Sequence, residues 1–107
     1  MAGLNKSEQM VADLLTKFRI RWEYEPTLFE LTHDDEGRCT TGFRPDFYLP
    51  DHDFYIEVTW ARQEHTTNKR TRARLVGEKY PGTRIEILYR RDFDDLEGRV
   101  MSFIYGV

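Results

Sequence analysis

The stretch Gly42-Phe43-Arg44-Pro45-Asp46-Phe47-Tyr48-Leu49-Pro50-Asp51-His52-Asp53-Phe54-Tyr55-Ile56-Glu57-Val58-Thr59-Trp60 carries two strand candidates, 42–49 and 54–60, joined by a short polar turn. So brief a connection predicts an antiparallel hairpin. With the turn centred between Asp51 and His52, residues whose numbers sum to 103 face each other: Leu49 and Phe54, Phe47 and Ile56, Asp46 and Glu57, Arg44 and Thr59. Phe54, Ile56, Val58 and Trp60 take the core face, and Tyr55, Glu57 and Thr59 the other. Asp46 and Glu57 therefore form a carboxylate pair on the non-core face, with Cβ atoms about 4.5–5.5 Å apart. Opposed like charges destabilise a sheet unless something positive lies between them, and a divalent cation with oxygen ligands such as Mg²⁺ answers that need. The competing reading is a register slipped by one residue, which splits the pair and leaves both acids on a solvated face.

Outward from the hairpin, the elements follow from periodicity. Met10, Val11, Leu14, Leu15 and Phe18 recur at helical spacing, so a first helix capped by Asn5 or Ser7 is expected to run to about Phe18. Ile20, Trp22 and Tyr24 alternate with charged residues and predict a strand, which Pro26 bends before Leu28–Leu31 continues it. Residues 32–41, with Asp34-Asp35-Glu36-Gly37 inside, read as a loop. A second helix is expected over Lys69–Lys79 and a further strand over Arg84–Tyr89. Asp92 or Asp94 then caps a short helix, and Met101–Tyr105 forms an apolar tail docked on the core. The order predicts an α/β domain with a mixed sheet of about four strands and flanking helices, all of 1–107 forming one unit.

Composition narrows the class. The chain has 107 residues, 39% hydrophobic and 14% aromatic, enough for one modest core, and its single cysteine, Cys39, excludes a disulfide framework and a cysteine zinc cluster. Without an apolar run of membrane-spanning length or an opening signal-peptide pattern, a soluble, intracellular protein with no membrane partner is expected. The net charge of −3 hides an asymmetry: −6 over 1–60 and +3 over 61–107, the excess lying between Arg62 and Arg74. His33, His52 and His65 are scattered with no ligand spacing, so a zinc site is not expected.

At Arg44-Pro45-Asp46-Phe47 and Tyr55-Ile56-Glu57-Val58-Thr59 the chain resembles the PD-(D/E)xK nuclease superfamily, in the spacing of the two half-motifs, the hairpin between them and the surrounding helix–strand order. The resemblance covers about residues 5–90. It implies a restriction-endonuclease-like core (α-β-β-β-α-β), with Asp46 and Glu57 binding Mg²⁺ or Mn²⁺ and the carbonyl oxygen of Val58 as a further ligand. The superfamily's small members include Holliday-junction resolvases, mismatch-nicking endonucleases and transposase-associated endonucleases. Glu8 matches the first-helix acid that completes the site, although Asn5-x-x-Glu8 reads equally as a helix capping box.

The chain departs from the motif where the family's lysine should stand, two residues after the glutamate: Thr59 is there instead. A threonine can position water but supplies no charge for the transition state. The missing cation can come from Arg44 across the hairpin, from Arg62, or from Lys69 at the start of the second helix, the favoured surrogate; Gln63 can orient a water without charge. Arg44, Arg62, Arg70 and Arg74 are the candidate phosphate contacts, Arg70 and Arg74 sharing one helix face, although a charged run is more often a solvated surface. Trp22, Tyr24, Tyr55 and Trp60 can stack on unpaired bases, but aromatics at strand spacing are usually core.

Together these features predict a metal-dependent endonuclease hydrolysing phosphodiester bonds in DNA, resolvase-like or part of a larger nuclease complex. So small a chain favours a homodimer on duplex DNA. The alternatives are a disabled nuclease-fold module that binds nucleic acid or a protein partner, and a structural or regulatory subunit without nucleic-acid contact.

Overall fold

Asn5 opens helix α1 (Lys6–Lys17): its side chain accepts the Glu8 N–H at 2.8 Å, and Glu8 Oε1 accepts the Asn5 N–H at 3.1 Å, a complete capping box. The computed structural model describes residues 3–60 and 63–107, and of 63–67 the backbone alone. Val11, Ala12 and Leu15 form the buried stripe of α1, while Met10 and Phe18 stay at its exposed margin. The chain continues through β1 (Glu23–Tyr24), β2 (Phe29–His33), β3 (Cys39–Phe43), β4 (Phe47–Leu49), β5 (Phe54–Thr59), α2 (Gln63–Lys79), β6 (Ile85–Tyr89), a 3₁₀ turn (Arg90–Asp95) and α3 (Leu96–Tyr105).

The mixed four-stranded sheet has the order β1-β4-β5-β6, and β2 with β3 forms a separate two-stranded hairpin. β5 and β6 run parallel, as the helical crossover between them requires, and the other pairs are antiparallel. In the central hairpin Phe47 pairs with Ile56, Tyr48 with Tyr55 and Leu49 with Phe54, the register expected from the turn.

Elsewhere the boundaries differ from expectation. Residues 42–49 are two elements, not one, because Pro45 has no N–H to continue a ladder: β3 ends before it and β4 starts after it. The expected strand through 20–31 is likewise split, β1 joining the main sheet and β2 leaving it at Glu25, whose φ is 50°. The expected loop over 32–41 is half β-structure, the ends of β2 and β3, and its turn is confined to 34–38, held by Asp34 Oδ1 accepting two backbone N–H groups. Helix α2 begins at Gln63, six residues before Lys69, since neither Pro nor Gly interrupts 63–76 and polarity alone does not stop a helix. The tail at 101–105 lies inside α3, whose N-cap is Asp95; Asp92 instead accepts the Tyr89 N–H at 2.7 Å.

The sheet is covered on both faces. Phe47, Leu49, Phe54, Ile56, Val58 and Leu88 pack with α1 and α3 in the larger core. On the other face Phe29, Phe43 and Val76 are buried with Tyr55, Ala73, Tyr80 and Ile85. The face taken as non-core is thus a second, smaller core beneath α2 and the β2–β3 hairpin, and Glu57 and Thr59 are buried rather than solvated. Trp60, assigned to the core face, is 43% exposed beyond the end of β5.

Candidate functional site

Where the β4–β5 ladder stops, side chains take over its hydrogen bonds. The Asp46 N–H donates to Glu57 Oε1 at 3.1 Å, and the Val58 N–H donates to Asp46 Oδ2 at 2.8 Å. The Asp46 carbonyl accepts the Glu25 N–H at 2.9 Å, tying the acid to the strand on its other side. The two carboxylates therefore meet through a reciprocal backbone clasp that leaves little freedom to either.

Glu8 joins them. Its carboxylate is within hydrogen-bond reach of Asp46, and its Oε1 also accepts the Tyr24 hydroxyl at 2.9 Å. The capping reading of Glu8 is realised in the bond from the Asn5 N–H, and the same carboxylate also faces Asp46. Glu8 is 8% exposed, Asp46 6%, Glu57 4% and Thr59 1%, so a polar cluster is enclosed at the end of an apolar sheet. Asp46 is the shared neighbour, touching Glu8 on one side and Glu57 on the other, so the three acids form a row rather than a closed triangle.

Burial and the adjacent Glu57 push the Asp46 carboxyl up to about 9, against the opposing pull of the Val58 N–H. Burial also raises Glu57, but the Lys69 ammonium holds it back. The Tyr24 hydroxyl is raised by burial and by its bond to Glu8. Two carboxyl groups in contact and away from water resist double ionisation, so without a cation one of them keeps a proton. A Glu8→Gln change keeps both acceptor bonds of Oε1 and removes the charge. It is expected to hold the unfolding free energy within about 1 kcal/mol of the parent, whereas Glu8→Ala loses the cap as well and costs about 1–2 kcal/mol. Thermal denaturation of the two variants side by side checks this.

Lys69 brings a positive charge to Glu57. From the second turn of α2 its Nζ reaches back to Glu57 Oε2 at 3.0 Å and the Val58 carbonyl at 2.9 Å, with the side chain only 32% exposed. Lys69, Ala73, Val76 and Tyr80 recur at four, three and four residues and line the sheet-facing stripe of α2. Thr59 Oγ1, two residues after Glu57 on the same strand face, is buried with no hydrogen-bond partner among the described residues.

The other candidates are dispersed. Arg44 is exposed before Pro45, and the paired residues of β4 and β5 run from Phe47–Ile56 to Leu49–Phe54 and do not include the expected Arg44–Thr59 pair. Arg62 lies outside the described residues, as do the side chains of Gln63 and His65. Arg70 is exposed, and Arg74 pairs with Glu78 at 2.8 Å on the outer side of α2. Both lie in mid-helix, not at the positive N-terminus expected of them. Trp22 and Tyr24 pack on Phe47, and Tyr55 on Phe29, while Trp60 alone of the four aromatics is exposed, braced edge-on by Phe93 at 4.7 Å and approached by Arg90. Trp60 also lines, with Asn5, Lys6, Ser7 and Met10, a pocket of about 440 Å³ beside the α1 N-terminus that carries Glu8. His33 and Cys39, on either side of the 34–38 turn, are cross-strand partners in the β2–β3 hairpin.

The acidic donor set suits a hard cation: two carboxylates in contact, a third beside them and the Val58 carbonyl, which has a second lone pair besides the one Lys69 uses. The Thr59 hydroxyl, without a partner among the described residues, is a ready acceptor or donor for water at such an ion. No family model, curated protein or solved structure matches the chain. No helix among the described residues is long and apolar enough to cross a membrane.

Proposed function

We propose that the protein is a Mg²⁺- or Mn²⁺-dependent phosphodiesterase with a restriction-endonuclease-like core that cuts DNA. The observation that carries this reading is the position of Lys69 Nζ, 3.0 Å from Glu57 and 2.9 Å from the Val58 carbonyl. The positive charge absent from Thr59 on the strand arrives at the same carboxylate from the helix that follows it. Asp46, Glu57 and the Val58 carbonyl would hold the cation, with Glu8 on the far side of Asp46. When bound, the ion supplies Lewis-acid polarisation of a phosphate and a lowered pKa for its water. The clasp between Asp46 and Val58 keeps the two carboxylates in fixed geometry, so little reorganisation accompanies ligation. Lys69 offsets charge developing on the phosphate oxygens, and Thr59 Oγ1 holds water by hydrogen bonding without moving a proton. Arg44 and Arg70, exposed and charged, are available to the DNA backbone.

A second reading has its own support. With Lys69 against Glu57 and a proton on Asp46, the cluster is balanced without any metal, as a binding module with a retired site requires. The test is incubation with branched, single-stranded and duplex DNA, with and without Mg²⁺ or Mn²⁺, beside Asp46→Ala. Metal-dependent cutting that disappears in the variant is the expected result. Salt-sensitive binding without cutting identifies the module instead, and neither activity leaves only a subunit without nucleic-acid contact.

Trp60 favours substrates with an unpaired base next to the cut, because its ring is partly exposed, braced edge-on by Phe93 and flanked by the Arg90 guanidinium. Trp60→Ala is expected to weaken binding to single-stranded DNA by about 1–3 kcal/mol, roughly 5- to 150-fold, while changing duplex binding far less. Fluorescence anisotropy with the two DNA forms measures the difference, and equal losses on both would remove the stacking role.

A further inference from the structure

We propose that Glu30, His33 and Cys39 of the β2–β3 hairpin form a Zn²⁺ site separate from the acidic cluster. Their ligand atoms, a carboxylate oxygen, an imidazole nitrogen and a thiol sulfur, all lie within 4.8 Å of one another, the one such trio among the described residues. In a regular strand Glu30 and His33, three apart, point to opposite faces. Here the pairing shifts register between Glu30 and Thr32 and again between Thr32 and His33, which brings His33 Nε2 to 3.5 Å from Glu30 Oε1. Irregularities of this kind re-aim side chains, and His33 is thereby placed on the side where its cross-strand partner Cys39 presents its sulfur.

The donor chemistry selects the ion. A thiolate and an imidazole favour a borderline-soft metal over Mg²⁺, and three protein ligands with one open position are a recurring Zn²⁺ arrangement. On binding, Cys39 releases its thiol proton to solvent and ligates as the thiolate, while His33 ligates as neutral imidazole. The thiolate and the Glu30 carboxylate cancel the two positive charges of Zn²⁺, and water completes the tetrahedron. The ion ties β2 to β3 beside their turn. That hairpin is already fastened to α2 by Tyr80 Oη donating to the Glu30 carbonyl at 2.9 Å and Lys79 Nζ donating to the Leu31 carbonyl at 3.1 Å, so ligation stiffens the layer that covers the second core.

Co²⁺ serves as the spectroscopic probe and Zn²⁺ as its competitor. One thiolate-ligated Co²⁺ per chain is expected, with a thiolate-to-metal charge-transfer band and tetrahedral d–d intensity, both erased by added Zn²⁺. Cys39→Ser is expected to abolish the band, and His33→Ala to weaken Zn²⁺ binding by well over about 100-fold, beyond the roughly 10- to 100-fold that loss of an outer partner costs. An Asp46→Asn, Glu57→Gln double variant is expected to keep band and affinity, which separates this site from the acidic cluster. In the unaltered chain, Zn²⁺ is expected to slow alkylation of Cys39, a readout that needs no variant to fold. Absence of the thiolate band, affinity indifferent to His33→Ala, one metal per two chains, or alkylation unaffected by Zn²⁺ would each overturn the site.

Discussion

An Asp46→Asn variant is expected to lose metal-dependent cleavage and yet melt at a higher temperature than the parent chain in metal-free buffer. The Asp46 carboxyl, raised to about 9 by burial and by Glu57, holds a proton in the fold that an unfolded carboxyl near 3.9 gives up. The folded state then binds more protons than the unfolded state between about pH 4 and pH 9, so this group's contribution to stability falls as pH rises through that window. Asparagine removes the dependence. Its carbonyl still accepts the Val58 N–H, and its amide can donate to Glu57 or Glu8 without a proton being taken up. A gain of about 1–2 kcal/mol at pH 7 follows, about 5–15 °C for a domain of this size, larger at pH 8 and smaller at pH 5. Cleavage is expected to fall about a thousandfold or more, because a bound cation is worth several kcal/mol to a transition state. Calorimetry across pH, paired with a cleavage assay, measures both. A variant that melts lower at pH 8, or one that still cuts, contradicts a metal-binding Asp46.

Replacing Lys69 acts in the opposite direction on stability. Lys69→Met leaves Glu57, only 4% exposed, without its cation. Breaking a buried pair by removing one partner costs about 3–5 kcal/mol, and the partial exposure of Lys69 reduces this to about 2 kcal/mol. Glu57, already raised by burial, rises further once the ammonium is gone. The deficit is therefore expected to be full at pH 8 and to shrink as Glu57 takes up a proton at lower pH. Adding Glu57→Gln to Lys69→Met is expected to recover most of the loss, and the double-mutant cycle reports the coupling directly. Cleavage in Lys69→Met is expected to fall about 100- to 1,000-fold, the scale of one electrostatic contact to a developing charge. A loss that is independent of pH and unrepaired by Glu57→Gln would reduce Lys69 to a packing residue.

Lys69 also marks how far the site was legible. Its spacing from Ala73, Val76 and Tyr80 puts it on one stripe with residues that had to be buried, and a stripe drawn through all four would have aimed it at the sheet. The expected start of α2 at Lys69 hid that pattern by turning a mid-helix residue into a terminal one. Glu8 was legible in two roles, helix cap and neighbour of the acid pair, and the fold shows the cap while turning the same carboxylate toward Asp46. His33 and Cys39 carried no readable signal, since their meeting depends on a register shift inside a strand that polarity alone marked as loop.

From its amino acids alone, the chain determines what acts over short distances: the Asn5–Glu8 cap, the turn at Pro50–Asp53, and with it the pairing that sets Asp46 opposite Glu57. Those features follow from local geometry with periods of two and 3.6 residues. Tertiary packing decides the rest: that the Glu57 face is roofed by α2 and a second hairpin, that α1 brings Glu8 to Asp46 and α2 brings Lys69 to Glu57, and that Thr59 is sealed beside them. These depend on which apolar surfaces find each other across long stretches of chain, and burial in turn sets the charge state of every group in the cluster.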